Sequence, residues 1–111
     1  MDSLFFYWYS SFTNHPCPFL ILNFTQAKTD SLFDQGKEVF LNQGTCATCH
    51  TLADAQSNGM IGPNLNEIRP LKYQVLSSVT RGIGVMPAFD GILSSEEIEA
   101  VSYYVSIAAN N

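Results

Sequence analysis

Cys46-Ala47-Thr48-Cys49-His50 is the stretch on which the reading of this chain turns. Two cysteines three positions apart on a turn can add their sulfurs across the two vinyl groups of one porphyrin, and the histidine directly after the second is then placed under the iron. The motif therefore points to covalent haem. One imidazole nitrogen binds the metal, while the other needs an acceptor to fix the tautomer. A structural zinc site would need four ligands, and the only further candidates are His15 and Cys17 in the N-terminal stretch. A redox-active cysteine pair would normally lie near a βαβ pattern, which this sequence lacks. The adjacent His50 and an export-like leader favour haem over incidental buried cysteines as well.

The sixth position on such an iron has three candidates, Met60, Met86 and His15, since thioether and imidazole both partner a histidine-ligated haem. Met86 is the best placed. It sits in Gly82-Ile83-Gly84-Val85-Met86-Pro87-Ala88-Phe89, where two glycines let the backbone approach closely and Pro87 stiffens the loop that aims the sulfur. Met60 is ten residues from His50 and would have to cross quickly to the opposite ring face, so it reads as a loop hydrophobe. The expected metal ligands are His50 and Met86.

Length and composition agree with a cofactor-stapled domain. The chain has 111 residues, room for one small core, and domains of that size usually add a disulfide, a metal or a large prosthetic group. Three cysteines, two of them in the motif, exclude a framework of paired disulfides. Charged residues make up 14% of the chain and the net charge is −5, so there is no basic face for nucleic acid or anionic lipid. The acidic balance instead suits a partner with a positive docking patch.

The composition breaks near residue 27. Residues 1–27 are strongly apolar and aromatic, and Pro18 to Phe24 followed by Thr25-Gln26-Ala27 resembles the end of an export signal cut after Ala27. The signal is atypical. It carries Asp2 and no Lys or Arg at its start, and Ser10, Ser11, Thr13, Asn14, His15, Pro16 and Pro18 interrupt the run needed for a membrane span, about 20 apolar residues. Residues 1–27 are thus expected to be an export signal or an N-terminal membrane anchor, and residues 28–111 the domain. The expected location is exported, in a periplasm or thylakoid lumen.

Beyond residue 27 the pattern is all-α, with no alternating run long enough for a confident strand. A first helix is predicted from Asp30 or Ser31, where Ser31 and Asp34 make a capping-box-like pair, to the stop signal Asn42-Gln43-Gly44. A middle helix is predicted over Pro70 to Arg81, ended by Gly82. The last is the clearest: Ser94 and Glu97 form a capping box, and Ile98, Val101, Val105 and Ala108 recur on one face. Residues 51–69 and 82–92 read as long connections that wrap something.

Taken together, Gly36, Phe40, the Cys46 to His50 motif, Gly62-Pro63-Asn64-Leu65, Met86-Pro87-Ala88-Phe89 and Glu96-Glu97-Ile98 through Tyr104-Val105 make the chain resemble the class I cytochromes c. The likeness covers most of residues 31–107 and is greatest to the short electron carriers of photosynthetic and bacterial respiratory chains. It implies a cytochrome c fold, three to four helices around one covalently attached haem c. It also implies that the Pro63 carbonyl accepts the free N–H of His50, and that Gly36 lets the first and last helices cross beside Phe40 and Tyr104. Leu65, Leu76, Val85 and Phe89 become candidates for the haem wall, though each can also be ordinary core or loop packing. Tyr73 is a weaker candidate for a propionate contact. The function implied is one-electron transfer between donor and acceptor redox complexes by a monomeric carrier, rather than enzymatic turnover.

Overall fold

The structure, a computed structural model, describes residues 16–111, with side chains described from residue 27. The expectations for residues 1–15, His15 among them, lie outside the described residues. Two compact units divide the chain at Asp30–Ser31, and the core and the site described below belong to the second, Ser31–Asn111.

Four α-helices are present among the described residues: α1 (Pro16–Glu38), α2 (Leu65–Ile68), α3 (Lys72–Arg81) and α4 (Ser95–Ala108). Helix α1 begins earlier than predicted, so Ser31 is an interior residue and not a cap. The reason is local. Between Pro18 and Gly36 the sequence holds neither proline nor glycine, and Pro16 and Pro18 sit in the first turn, where a missing N–H is tolerated. The far end differs as well. After Glu38 the helix widens into a π-turn, Val39–Gln43, closed by the Gly44 N–H donating to the Val39 carbonyl at 2.7 Å. Val39 and Phe40 are consecutive, yet both are buried.

Helix α4 starts as its sequence says. The Ser94 hydroxyl accepts from the Glu97 N–H at 3.1 Å, and the Glu97 carboxylate accepts from the Ser94 N–H at 2.9 Å. Helix α3 begins at Lys72, two residues after Pro70. Only half a box forms there, with the Leu71 N–H donating to Gln74 Oε1 at 2.8 Å, because leucine has no acceptor to return. Gly82 ends α3 with φ at +74°, a conformation open mainly to glycine.

The core is formed where α4 meets α3 and the end of α1. Phe40, Leu52, Val75, Val79, Ile98, Val101, Tyr104 and Val105 are buried in it. Gly36 carries the closest crossing: a Cβ there would run into the Ala100 carbonyl oxygen and, at 2.5 Å, the Tyr104 Cβ. Phe33 and Phe40 meet the Tyr104 ring edge-on, at centroid distances of 4.8 and 5.8 Å. Such edge-to-face pairs contribute roughly 0.5–1.5 kcal/mol each beyond their burial.

The stretch expected as one long connection, residues 51–69, is more ordered than predicted. It holds a two-residue antiparallel ribbon, β1 (Thr51–Leu52) on β2 (Ser57–Asn58), and then α2, whose first turn is capped by Asn64 accepting from the Asn66 N–H. The Ala53 N–H donates to Asn66 Oδ1 at 2.7 Å, tying the ribbon to α2.

Candidate functional site

Cys46, Ala47 and Thr48 form one turn of 3-10 helix, entered through Thr45 in the left-handed region at φ +49°. A β-branched residue pays for that conformation, of order 1–3 kcal/mol, and it persists only when its surroundings impose it. Here the turn makes the Cys46 carbonyl accept from both the Cys49 and His50 N–H groups, at 3.1 and 3.0 Å. The two cysteines and the histidine are thereby held on one rigid step of chain.

No disulfide joins the two cysteines, and both side chains are half-buried. Burial is the main cause that pushes the Cys46 thiol up to about 11. A thiol held protonated at neutral pH is the opposite of an exchange-active pair, where the attacking cysteine is acidified. The reading of this motif as a thiol–disulfide site therefore has chemistry against it.

The His50 ring is gripped from two sides. Its Nδ1 lies 2.8 Å from the Pro63 carbonyl oxygen, which can only accept, so Nδ1 carries the proton and Nε2 keeps its lone pair for a metal. Gly62 lies flat against the same ring: a Cβ on it would stand 2.5 Å from Cε1 and 2.8 Å from Nδ1. The Gly62 N–H in turn donates to the Cys49 carbonyl at 2.7 Å. Glycine is needed here for the approach of the backbone to the imidazole, not for an unusual φ.

The main chain around His50 is fastened too. The buried Ser57 hydroxyl donates to the His50 carbonyl at 2.9 Å and accepts from the Leu52 N–H at 3.1 Å. Thr51 Oγ1 donates to the Gly59 carbonyl at 2.9 Å. One more network lies beneath this segment: the buried Tyr104 hydroxyl donates to Asp54 Oδ2 at 2.7 Å, and Lys37 pairs with the same carboxylate at 3.2 Å. That Tyr104 bond, then Lys37, holds the Asp54 carboxyl below its ordinary value, while burial and the facing carboxylate raise the Tyr104 phenol. Sequence reasoning missed Ser57, Asp54 and Asn66, although the Asn64-x-x-Glu67 spacing was a readable helix start.

Met86 lies on a separate loop. Ile83 and Met86 exchange backbone hydrogen bonds at 3.1 and 3.0 Å around a turn through Gly84 at φ +56°. Gly82 provides the close approach, since a Cβ there would meet the Met86 carbonyl at 2.7 Å. The Met86 side chain is half-buried against the core, as are Cys46, Leu76 and Phe89. Leu65 is buried in that core, whereas Val85, a candidate for the same wall, is 87% exposed. Met60, in the loop between Gly59 and Gly62, is 91% exposed and Tyr73 also faces out.

The donor set suits a haem: one thiol packed against the apolar core and a second half-buried, an imidazole with a defined free nitrogen, and a thioether on the 82–89 loop. Among the described residues no group of three or more His, Cys, Asp or Glu side chains could hold a metal ion.

Comparison with known proteins reaches the same chemistry. Residues 31–105 match the family model described as cytochrome c oxidase, cbb3-type, subunit III. Cytochrome c6 of Porphyra purpurea is 34% identical over 99 residues, covering 78% of this chain and 81% of that protein. Cytochrome c6 of Microcystis aeruginosa is 36% identical over 83 residues, 63% and 89% of the two chains. Among solved structures, the c-type cytochrome SorU from Sinorhizobium meliloti is similar with a TM-score of 0.69 and 50% identity, covering 72% of this chain and 93% of that one.

Proposed function

We propose residue roles from a settled premise: the chain belongs to the c-type cytochrome family whose model spans residues 31–105, and is a small class I cytochrome that carries electrons on one covalent haem c. Cys46 and Cys49 hold the porphyrin through thioethers. His50 Nε2 and the Met86 sulfur would be the protein's two ligands to its iron. Pro63 fixes the His50 tautomer and Leu65 walls the pocket from the core side.

The observation that carries this reading is the 2.8 Å contact from His50 Nδ1 to the Pro63 carbonyl, which orients one histidine nitrogen and frees the other. The haem, when bound, supplies a one-electron couple between ferrous and ferric iron. The chain's own groups decide what is done with it. Met86 would take the coordination position that oxygen otherwise needs, and thioether with histidine ligation would raise the reduction potential. Apolar neighbours such as Leu65, Leu76 and Phe89 further disfavour the more positive ferric state.

Residues 57–66 and 82–89 carry no charged side chain. These loops are suited to brief apolar contact with donor and acceptor redox proteins, through the small interfaces that let electron-transfer partners separate quickly. The carrier works as an exported monomer without enzymatic turnover, in a periplasm or thylakoid lumen, with residues 1–27 as its signal or membrane anchor. Among the described residues no helix is long and apolar enough to cross a membrane.

The test is spectroscopic. Reduced holoprotein should give sharp alpha and beta bands, the ferric form a weak sulfur-ligation band at the red edge, and neither should change under carbon monoxide at neutral pH. Ready carbon monoxide binding would contradict Met86 ligation. A second reading, as the cytochrome subunit of an oxidase, is favoured by the description of the matching family model. Size exclusion and pull-down after expression with intact export machinery separate the two: a free carrier elutes alone.

A further inference from the structure

Ser57 is one of two buried polar residues among the described residues, and its hydroxyl is bonded to main-chain groups on two sides. It donates to the His50 carbonyl at 2.9 Å and accepts from the Leu52 N–H at 3.1 Å, so a single oxygen clamps the main chain on both sides of Thr51. The clamp sits at the end of a ribbon only two residues long, in which Leu52 pairs with Ser57 and Thr51 with Asn58. So short a ladder supplies little rigidity of its own. Gln56, immediately before Ser57, is forced to φ +53°, which turns the chain back so that the hydroxyl faces the segment following His50.

Two independent restraints thus converge on one residue. Pro63 and Gly62 grip the imidazole, and Ser57 grips the peptide from which it hangs. A ring restrained only at Nδ1 can still pivot about that contact as its Cα moves, and anchoring the carbonyl removes this freedom. We propose that Ser57 is a positioning residue for the axial histidine, its hydroxyl setting the rotation of the His50 ring plane about the iron–nitrogen direction. This rests on the assignment of His50 as a ligand. Partners beyond a metal ligand itself are known generally to orient histidines and tune the centre they serve.

The test compares ferric holoproteins by proton NMR, because the paramagnetically shifted ring-methyl resonances report the orientations of the iron's ligands, the His50 imidazole plane among them. Ser57→Ala should shift the methyl pattern and the midpoint potential while covalent haem is retained. Ser102→Ala is the control. Ser102 is fully buried and its hydroxyl donates to the Ile98 carbonyl at 2.7 Å, so its loss removes a comparable bond inside α4. That variant should lose stability and leave the methyl pattern in place. Ser57→Thr and Ser57→Val, matched in shape, isolate the hydroxyl if the alanine variant does not fold: Thr should keep the parent pattern and Val should not. Methyl resonances and potential unmoved in Ser57→Ala, or equal in Thr and Val, would overturn the proposal. A parent protein lacking a low-spin histidine signature would instead overturn the assignment of His50, so the two failures are distinguishable.

Discussion

The two loops that carry the proposed ligands are built in opposite ways. Around His50 the chain is cross-tied: Gly62 to Cys49, Pro63 to the imidazole, Ser57 to the His50 carbonyl, Asn66 to Ala53, and Tyr104 with Lys37 to Asp54. Around Met86 the ties are a tight turn between Ile83 and Met86 and the Phe89 N–H donating to Val79, while Ile83 and Val85 stay exposed. The histidine side is tied at many points to distant parts of the chain. The methionine side is a short arm with fewer ties. Substitutions should therefore be felt broadly on the first side and narrowly on the second.

The largest effect is expected at Gly62. Gly62→Val places carbon atoms against the imidazole ring, where even a Cβ would stand 2.5 Å from Cε1, and the Gly62 N–H bond to Cys49 leaves the backbone no retreat. Overpacking of this kind costs about 1–3 kcal/mol, and the ferric spectrum should lose its low-spin histidine character. Denaturant titration with absorption spectra checks both; a parent-like spectrum would show that the ring has another place to go.

Met86→Ala should be dramatic in the spectrum and mild in the fold. Covalent haem stays, the red-edge sulfur band disappears and the potential falls substantially, while the denaturation midpoint changes far less than in Gly62→Val. An unchanged band would remove Met86 from the iron.

Tyr104→Phe probes the tie beneath the histidine side. The lost hydrogen bond to a carboxylate should cost about 1–2 kcal/mol near neutral pH. Asp54 is held below its ordinary value chiefly by that bond. Its contribution is therefore present above the unfolded value, about 3.9, and is lost as pH falls through the lower folded value. The stability gap between the parent and Tyr104→Phe should close below about pH 4; a gap constant with pH would argue against the Asp54 link.

Gly84→Ala is the smallest. Nothing lies within 4 Å of the added Cβ, so only the left-handed φ of +56° is penalised, about 1 kcal/mol, with the ligation spectrum intact. Loss of the sulfur band here would mean that the methionine arm is as finely held as the histidine side.

Legibility in the sequence follows the same division between local and distant causes. The start of α4 and the end of α3 were readable because a capping box and a terminal glycine act within a few residues. The beginning of α1 was misread, since Ser31 resembles a cap but nothing before it interrupts the helix. The Cys46 to His50 motif announced its chemistry through spacing alone. What holds it did not: Ala53 meets Asn66 thirteen positions away, and Tyr104 meets Asp54 fifty positions away. Such partners are chosen by the fold, and their residue types are ordinary in isolation. Ser57 was invisible for the same reason, being one serine in a polar loop until the ribbon closes it over His50.

The account stands on covalent attachment at one short stretch of chain. Protein matured in its own host, digested with a protease and read by tandem mass spectrometry, should yield the peptide containing residues 46–50 with one haem on the Cys46 and Cys49 sulfurs. The same peptide recovered with two free thiols and no tetrapyrrole would contradict it.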